Sequence, residues 1–309
     1  MRKFIIRLAI LAICMMLADV VLGYALDYLR IHSKGGETAR TEHICNHSNE
    51  DILIMGSSRA VHHYNPQIFE DSLGMTCYNC GYDGCGIILA YAQLEMILQH
   101  HTPKIIIYEL TPSFDLSVGD NNRYVKSLRP YADNEHVRNI IESVDASEHY
   151  KLYSRLYRYN SNFMKVIADG TISRESMPNG FKPQNKQMKY EPEKPMKVED
   201  PAIDSLKLSY FEKFHTLCKK NGVNIIYAVS PIYNGYITVN YQRIIDIALD
   251  TKFPVLNHLY DEYIIYDNDF FYDRTHMNAT GANCYTQLII AEIKKNIIES
   301  NGAEKKCIK

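Results

Sequence analysis

From Asp51 onward the chain alternates short, almost wholly apolar runs with longer stretches whose apolar residues recur every three or four positions. A run that is apolar at nearly every position suits a strand buried on both faces, while the 3.6-residue spacing marks one face of a helix. The pattern predicts strands over 51–55, 75–79, 104–110, 223–230 and 254–256. It predicts helices over 66–73, 87–100, 202–221, 241–251 and 279–298. Strands that alternate with helices imply a parallel sheet covered on both faces. The expected class is therefore α/β, a flavodoxin-like three-layer sandwich with a central parallel sheet of about five strands. In such sheets ligands bind beyond the C-terminal strand ends.

The rhythm breaks over about 111–201. A Tyr-rich, basic stretch at 150–159 (YKLYSRLYRY) predicts a helix, and a polar segment rich in Pro and Lys follows at 183–201. A long segment without strand rhythm is usually functional or disordered. It is expected as a mainly helical and irregular insertion, leaving the third strand at the end where a site belongs and forming a lid or cleft wall.

The N-terminus follows a different pattern. Arg2, Lys3 and Arg7 precede an apolar run from Leu8 to Leu17, which resumes after Asp19 through Val20, Val21 and Leu22. Basic residues before an apolar run read as an export signal, and positive charge stays on the cytoplasmic side. Phe4 to Tyr24 is long enough to span a bilayer core, which takes roughly 20 residues. Gly23-Tyr24-Ala25 also offers a small-x-small cleavage site. An uncleaved anchor is favoured, with a cleaved, secreted form as the alternative. The expected domains are a signal or anchor at 1–30 and an α/β domain at 46–300, held by one N-terminal helix on the outer face of a bacterial cytoplasmic membrane.

Composition adds limits. The chain has 309 residues, 46% hydrophobic and 23% charged, with a net charge of −2. That balance suits a full globular core and gives no field for binding nucleic acid. There are 24 Tyr and no Trp; exposed tyrosines would suit a wet ligand such as a glycan, although half-buried packing is the plainer use. Among eight cysteines, Cys77, Cys80 and Cys85 form C-x2-C-x4-C without a fourth ligand or a His at zinc spacing. They read as buried thiols or one disulfide, and neither metal nor cofactor is expected.

Three motifs sit on loops that this fold would bring together. Gly56-Ser57-Ser58-Arg59 follows the first strand, where a serine stands at the sheet top beside a helix N-terminus. Asn79-Cys80-Gly81-Tyr82-Asp83-Gly84 follows the second strand, and its glycines let backbone N–H groups approach a ligand. Asp273-Arg274-Thr275-His276 precedes the closing helix, whose expected N-cap is Asn278. Asp-x-x-His in one loop lets the carboxylate reach Nδ1 of the same imidazole and orient it as a base. Each motif alone is also an ordinary turn. His62 and His63 have no orienting partner in the sequence and are assigned to packing or the surface.

In order, spacing and position the three motifs resemble the SGNH (GDSL-like) hydrolase family over about 51–110 and 202–298. The resemblance implies Ser58, rather than Ser57, as nucleophile, with His276 as base and Asp273 as its partner. It implies backbone N–H groups of Ser58 and Gly84 as the oxyanion hole, and Asn79 and Ser113 are assigned to substrate binding, while Arg59 is expected either to hold a polar or anionic substrate group or to form a structural ion pair. The family's Gly-x-Asn-Asp block has no counterpart here: the chain reads Glu109-Leu110-Thr111-Pro112-Ser113-Phe114-Asp115. Ser113 falls near the Asn position, and loss of one oxyanion donor can cost about 10²–10³ in rate. Gly-Ser-Ser with a membrane anchor is similar to the branch acting on cell-surface polymers. That implies an esterase or O-acyltransferase working on acyl groups of a surface glycan or other acylated polymer, with an acyl-transfer membrane partner where it transfers. The alternative is a weak or inactive member of the fold that binds polysaccharide or scaffolds its assembly.

Overall fold

The computed structural model describes residues 1–172, 177–189, 201–233 and 239–306. The strands are β1 (Ile52–Gly56), β2 (Cys77–Asn79), β3 (Ile105–Glu109), β4 (Asn224–Val229) and β5 (Val255–Asn257). Before β1 lie α1 (Arg2–Ile31) and α2 (Gly36–Glu42). Between β1 and β3 lie α3 (Ser58–His63), α4 (Pro66–Leu73) and α5 (Ile87–Ile97). After β3 come α6 (Pro112–Asp115), α7 (Asn122–Val125), α8 (Glu135–Val144), α9 (Glu148–Lys151) and α10 (Phe163–Thr171). The chain closes with α11 (Ser205–Lys220), α12 (Val239–Asp250), α13 (Glu262–Ile265) and α14 (Ala279–Lys306).

The residues fall into two compact units. The first joins Met1–Ser48, Ala92–His100 and Asp120–Met177; the second joins Asn49–Tyr91, His101–Gly119 and Pro178–Lys309. The expected insertion is thus divided. Its central part belongs with the N-terminal segment, and its ends belong with the sheet. Of the Pro- and Lys-rich stretch, 190–200 lies outside the described residues.

The second unit is the expected sandwich. All strand pairs are parallel, in the order β2-β1-β3-β4-β5. Alternation along each strand sorts its side chains into two layers. Ile52, Ile54, Ile107 and Ala228 meet Tyr64, which follows α3, Phe69 of α4, and Tyr285 and Ile289 of α14. On the opposite face Tyr108 and Tyr227 are paired in register; Tyr108 meets Phe214 of α11 edge-on, and Tyr227 stacks on Phe211. The five strands and their helices begin within a few residues of the expected positions, and α14 runs on to Lys306, past its expected end at 298.

In the first unit the N-terminal helix is part of the fold. Leu26 and Leu29 pack on Tyr159 and Val166, and Arg30 pairs with Glu42. The helix expected at 150–159 does not form. Instead α9 ends at Lys151 and a 3₁₀ turn covers Tyr157–Tyr159. Asp19 of α1 accepts the N–H groups of Arg155 and Leu156 and the hydroxyl of Ser154. Donors given to a distant carboxylate cannot close the i→i−4 ladder of a helix.

Candidate active site

The site lies in the sheet unit, at the C-terminal ends of β1 and β2. Gly56 ends β1 at φ +132°, and a Cβ there would come within 2.6 Å of the Glu109 carbonyl of β3. Only glycine lets the chain leave the sheet this close to its neighbour. Ser57 then points inward, its hydroxyl bonded to Thr111 Oγ1 at 2.9 Å and fully buried. Ser58 opens α3, half-buried.

Ser58 Oγ lies 2.8 Å from His276 Nε2. On the far side of the ring, both Asp273 oxygens face Nδ1, at 3.0 and 2.9 Å. Asp273 Oδ1 also accepts the N–H of Thr275 at 2.8 Å and of His276 at 2.9 Å, so the carboxylate shapes the loop that carries its own partner. Burial opposes its charge. The His276 hydrogen bond and these two backbone donors outweigh that and hold the carboxyl down to about 2. A bridge between Phe271 and Met277 closes the loop, and Asn278 caps α14 by accepting the N–H of Gly281 at 3.0 Å.

The other expected site residues divide. Gly84 sits at φ +67° in the turn after β2. Among the described residues, neither its N–H nor that of Ser58 is taken by a protein acceptor. Asn79 corrects the sequence reading. It is fully buried, its amide donates to the carbonyls of Ala60 and Tyr64, and its oxygen accepts the N–H of Gly81. Asn79 is a clamp between the first two loops and has no face left for substrate. Of its two expected roles, Arg59 takes the structural ion pair. It turns under the site, 2% exposed, onto Glu109, Ser230 and Tyr241. Ser113 is exposed on α6, and its carbonyl accepts Lys207 Nζ.

Neither His62 nor His63 lies at the surface, and both stand edge-on to His276, with ring centroids 5.7 and 6.3 Å away. His63 is fully buried. Its Nε2 accepts the N–H of Met277 at 2.9 Å, which leaves Nδ1–H to donate to Ser230 Oγ at 2.7 Å. Burial, with the nearby Arg59 cation, holds His63 well below the ordinary imidazole range. His62 places Nδ1 on the Lys182 carbonyl and Nε2 on Asp83. Burial raises the Asp83 carboxyl, but His62 and Lys182 outweigh it and hold it well below the usual range.

Sequence reasoning missed the buried network of Glu109, Ser230, Tyr64 and His63 beneath the serine. The signal was Glu109 itself, a carboxylate at the last position of an otherwise apolar strand, which burial permits only with partners. The loop after β3 is also explained. Asp115, fully buried, accepts the N–H groups of Thr111 and Ile87 and the hydroxyl of Tyr108. It ties that loop to the start of α5, and burial pushes its carboxyl up to about 7.

The described residues contain no group of three or more His, Cys, Asp or Glu placed to hold a metal ion. Seven cysteines, Cys77, Cys80 and Cys85 among them, are unbridged thiols.

No family model matches the chain, and no curated protein matches it. Solved structures are similar in fold. One is a candidate acylhydrolase of Bacteroides fragilis, with 11% identity over 84% of this chain and 94% of that one, at a TM-score of 0.38. Another is a GDSL-like lipase of Bacteroides thetaiotaomicron, with 12% identity over 79% of this chain and 88% of that one, at a TM-score of 0.37. At these values the likeness adds nothing to the chemistry, which rests on the chain's own residues.

Proposed function

We propose that this chain is a membrane-anchored serine esterase or O-acyltransferase of the SGNH type, acting on acyl groups of a cell-surface glycan. The observation that carries the reading is the line from Asp273 through His276 to Ser58 Oγ, with a hydrogen-bond-length contact on each side of the imidazole. Ser58 Oγ attacks the acyl carbonyl while His276 Nε2 takes its proton. Asp273 holds the ring in the Nδ1–H tautomer and stabilises the imidazolium. The N–H groups of Ser58 and Gly84 receive the oxyanion. His276 then returns its proton to the leaving oxygen, and water or a sugar hydroxyl takes the acyl group from Ser58.

A depression beside Asp273, lined by Lys186, Lys189, Tyr272 and Arg274, supports a polar or anionic polymer as acyl carrier. The apolar helix Arg2–Ile31, long enough to cross a membrane, supports an anchored enzyme whose site faces the cell surface. The experiment is labelling of the full chain with a fluorophosphonate probe. Labelling is expected in the parent and in Ser57→Ala and absent in Ser58→Ala. Equal labelling of the parent and Ser58→Ala defeats the proposal.

One feature favours the second reading, a binding protein with little turnover. The stretch after β3 contains no Asn, and Ser113 there is exposed. Glycan binding by folded protein that releases no acetate from p-nitrophenyl acetate would decide for it.

A further inference from the structure

The first unit carries exposed apolar side chains that its own core does not use. Tyr153 is 69% exposed and Met164 66%, and Tyr150, Leu156 and Phe163 are exposed as well. Exposure alone does not single these out, since Ile167 and Ile172, further along α10 and at its end, are exposed too; position along the spanning helix does. Their height along α1 can be read from contacts. The 154–156 turn is held by Asp19. Arg155 packs so closely on Gly23 that no Cβ would fit there, and its guanidinium lies 4.2 Å from the centre of the Tyr24 ring. Helix α10 runs alongside α1 in the same direction, with Val166 beside Leu26 and Gly170 against Leu29. Its first residues, Phe163 and Met164, therefore lie nearest the level of Gly23.

That level is where a membrane would end. Counting from Phe4 at about 1.5 Å per residue, a hydrocarbon core of about 30 Å runs out near Gly23 and Tyr24. Asp19 falls inside that limit. A carboxylate there is expensive unless satisfied, and its donors come from the 154–156 turn. The turn must therefore follow Asp19 into the outer part of the bilayer. Tyrosines and apolar side chains set around an emerging helix suit the headgroup and acyl boundary.

We infer that the 150–164 segment is a second membrane contact, a collar around α1 seated in the outer-leaflet interface through Tyr153, Leu156, Phe163 and Met164. This rests on the reading of α1 as a spanning anchor, and the test separates the two. Because the chain has no Trp, a single introduced indole reports its own position. Full-length Leu11→Trp, Tyr153→Trp, Met164→Trp and Ile172→Trp are reconstituted in phosphatidylcholine vesicles whose acyl chains carry bromine, a contact quencher, either near the headgroup or near the chain end. All four positions are exposed and accept an indole without repacking. Position 11 is expected to lose emission most with deep bromine. Positions 153 and 164 are expected to lose emission most with shallow bromine. Position 172, level with the outer end of α1, should lose none. Quenching at 11 without quenching at 153 and 164 overturns the collar and leaves the anchor standing. Absence of quenching at 11 removes both. Blue-shifted but unquenched emission at 153 and 164, lost on dilution into more lipid, assigns the surface to a second copy of the chain and also overturns the collar.

Discussion

His63 Nε2 accepts the backbone N–H of Met277 at 2.9 Å, so the helix that begins with Ser58 also holds the residue that follows His276. Nucleophile and base are thereby fixed to each other by a bond that involves neither. His63 acts through position. His63→Leu is expected to lower the rate of probe labelling by one to two orders of magnitude, since small misplacements of a reacting pair cost about that much. Ser58 would remain the labelled residue, as peptide mapping checks.

The same imidazole sets an acid limit. Burial and the Arg59 cation depress its folded pKa, while an unfolded histidine titrates near 6.5. Between those values the unfolded chain binds the extra proton and the folded chain does not. The stabilisation is therefore complete above about pH 6.5 and is lost as pH falls, by at most about 1.4 kcal/mol per pH unit. Asp115, held up to about 7, gives an opposing slope over the same range in both proteins. The His63 contribution is therefore read as the difference between parent and His63→Gln in denaturant titrations at pH 7.5, 6.5 and 5.5: the stability gap should narrow as pH falls.

Asp273 should behave differently. Its carboxyl is held down to about 2, so it stays ionised through the mild acid range and loses its contribution only as pH falls toward that value. Any loss of labelling between pH 7 and 5 is then not due to protonation of Asp273. Asp273→Asn is expected to cut the labelling rate by about 10²–10⁴ through loss of tautomer control. An unchanged rate would remove Asp273 from the mechanism.

Arg59 and Glu109 form a buried pair, with Nε and Oε1 3.1 Å apart and Glu109 fully inaccessible. Removing one partner leaves an uncompensated charge, at a cost of about 3–5 kcal/mol. Glu109→Gln and Arg59→Ala should each lower Tm sharply. If Arg59 held substrate instead, Arg59→Ala would raise KM and leave Tm in place. Asn79→Ala belongs with the first outcome, because it removes the buried amide that ties the carbonyls of Ala60 and Tyr64 to the N–H of Gly81.

These three residues mark the limit of what the sequence discloses. The strands were legible because they are apolar at almost every position, and only a sheet buried on both faces needs that. The pairing of Asp273 with His276 was legible because three residues of separation in one loop leave little freedom. Asn79 was misread and Arg59 left open between two roles because a polar residue beside a nucleophile looks the same in sequence whether it faces out or in. Here the direction is set by Glu109 and Ser230, which are 50 and 171 positions away from Arg59. The 150–159 stretch was misread for a related reason. Its helical spacing is real, but Asp19, more than a hundred residues upstream, takes the N–H groups a helix would use.

Asp19 itself gives the last prediction. It is the only acidic residue between Arg2 and Asp27, set in an otherwise apolar helix face, and its three hydrogen bonds all go to residues 154–156. Asp19→Leu would make the helix a better membrane span by composition alone. It would also leave the N–H groups of Arg155 and Leu156 and the hydroxyl of Ser154 without their acceptor, each at about 1–3 kcal/mol where water is excluded. The expected result is unchanged membrane association together with faster amide exchange and proteolysis over 150–172, and no change around β1 to β5. Such a local loss would mean that Asp19 docks the insertion onto the helix. Even exchange across 150–172 in both proteins would mean that the turn holds without it.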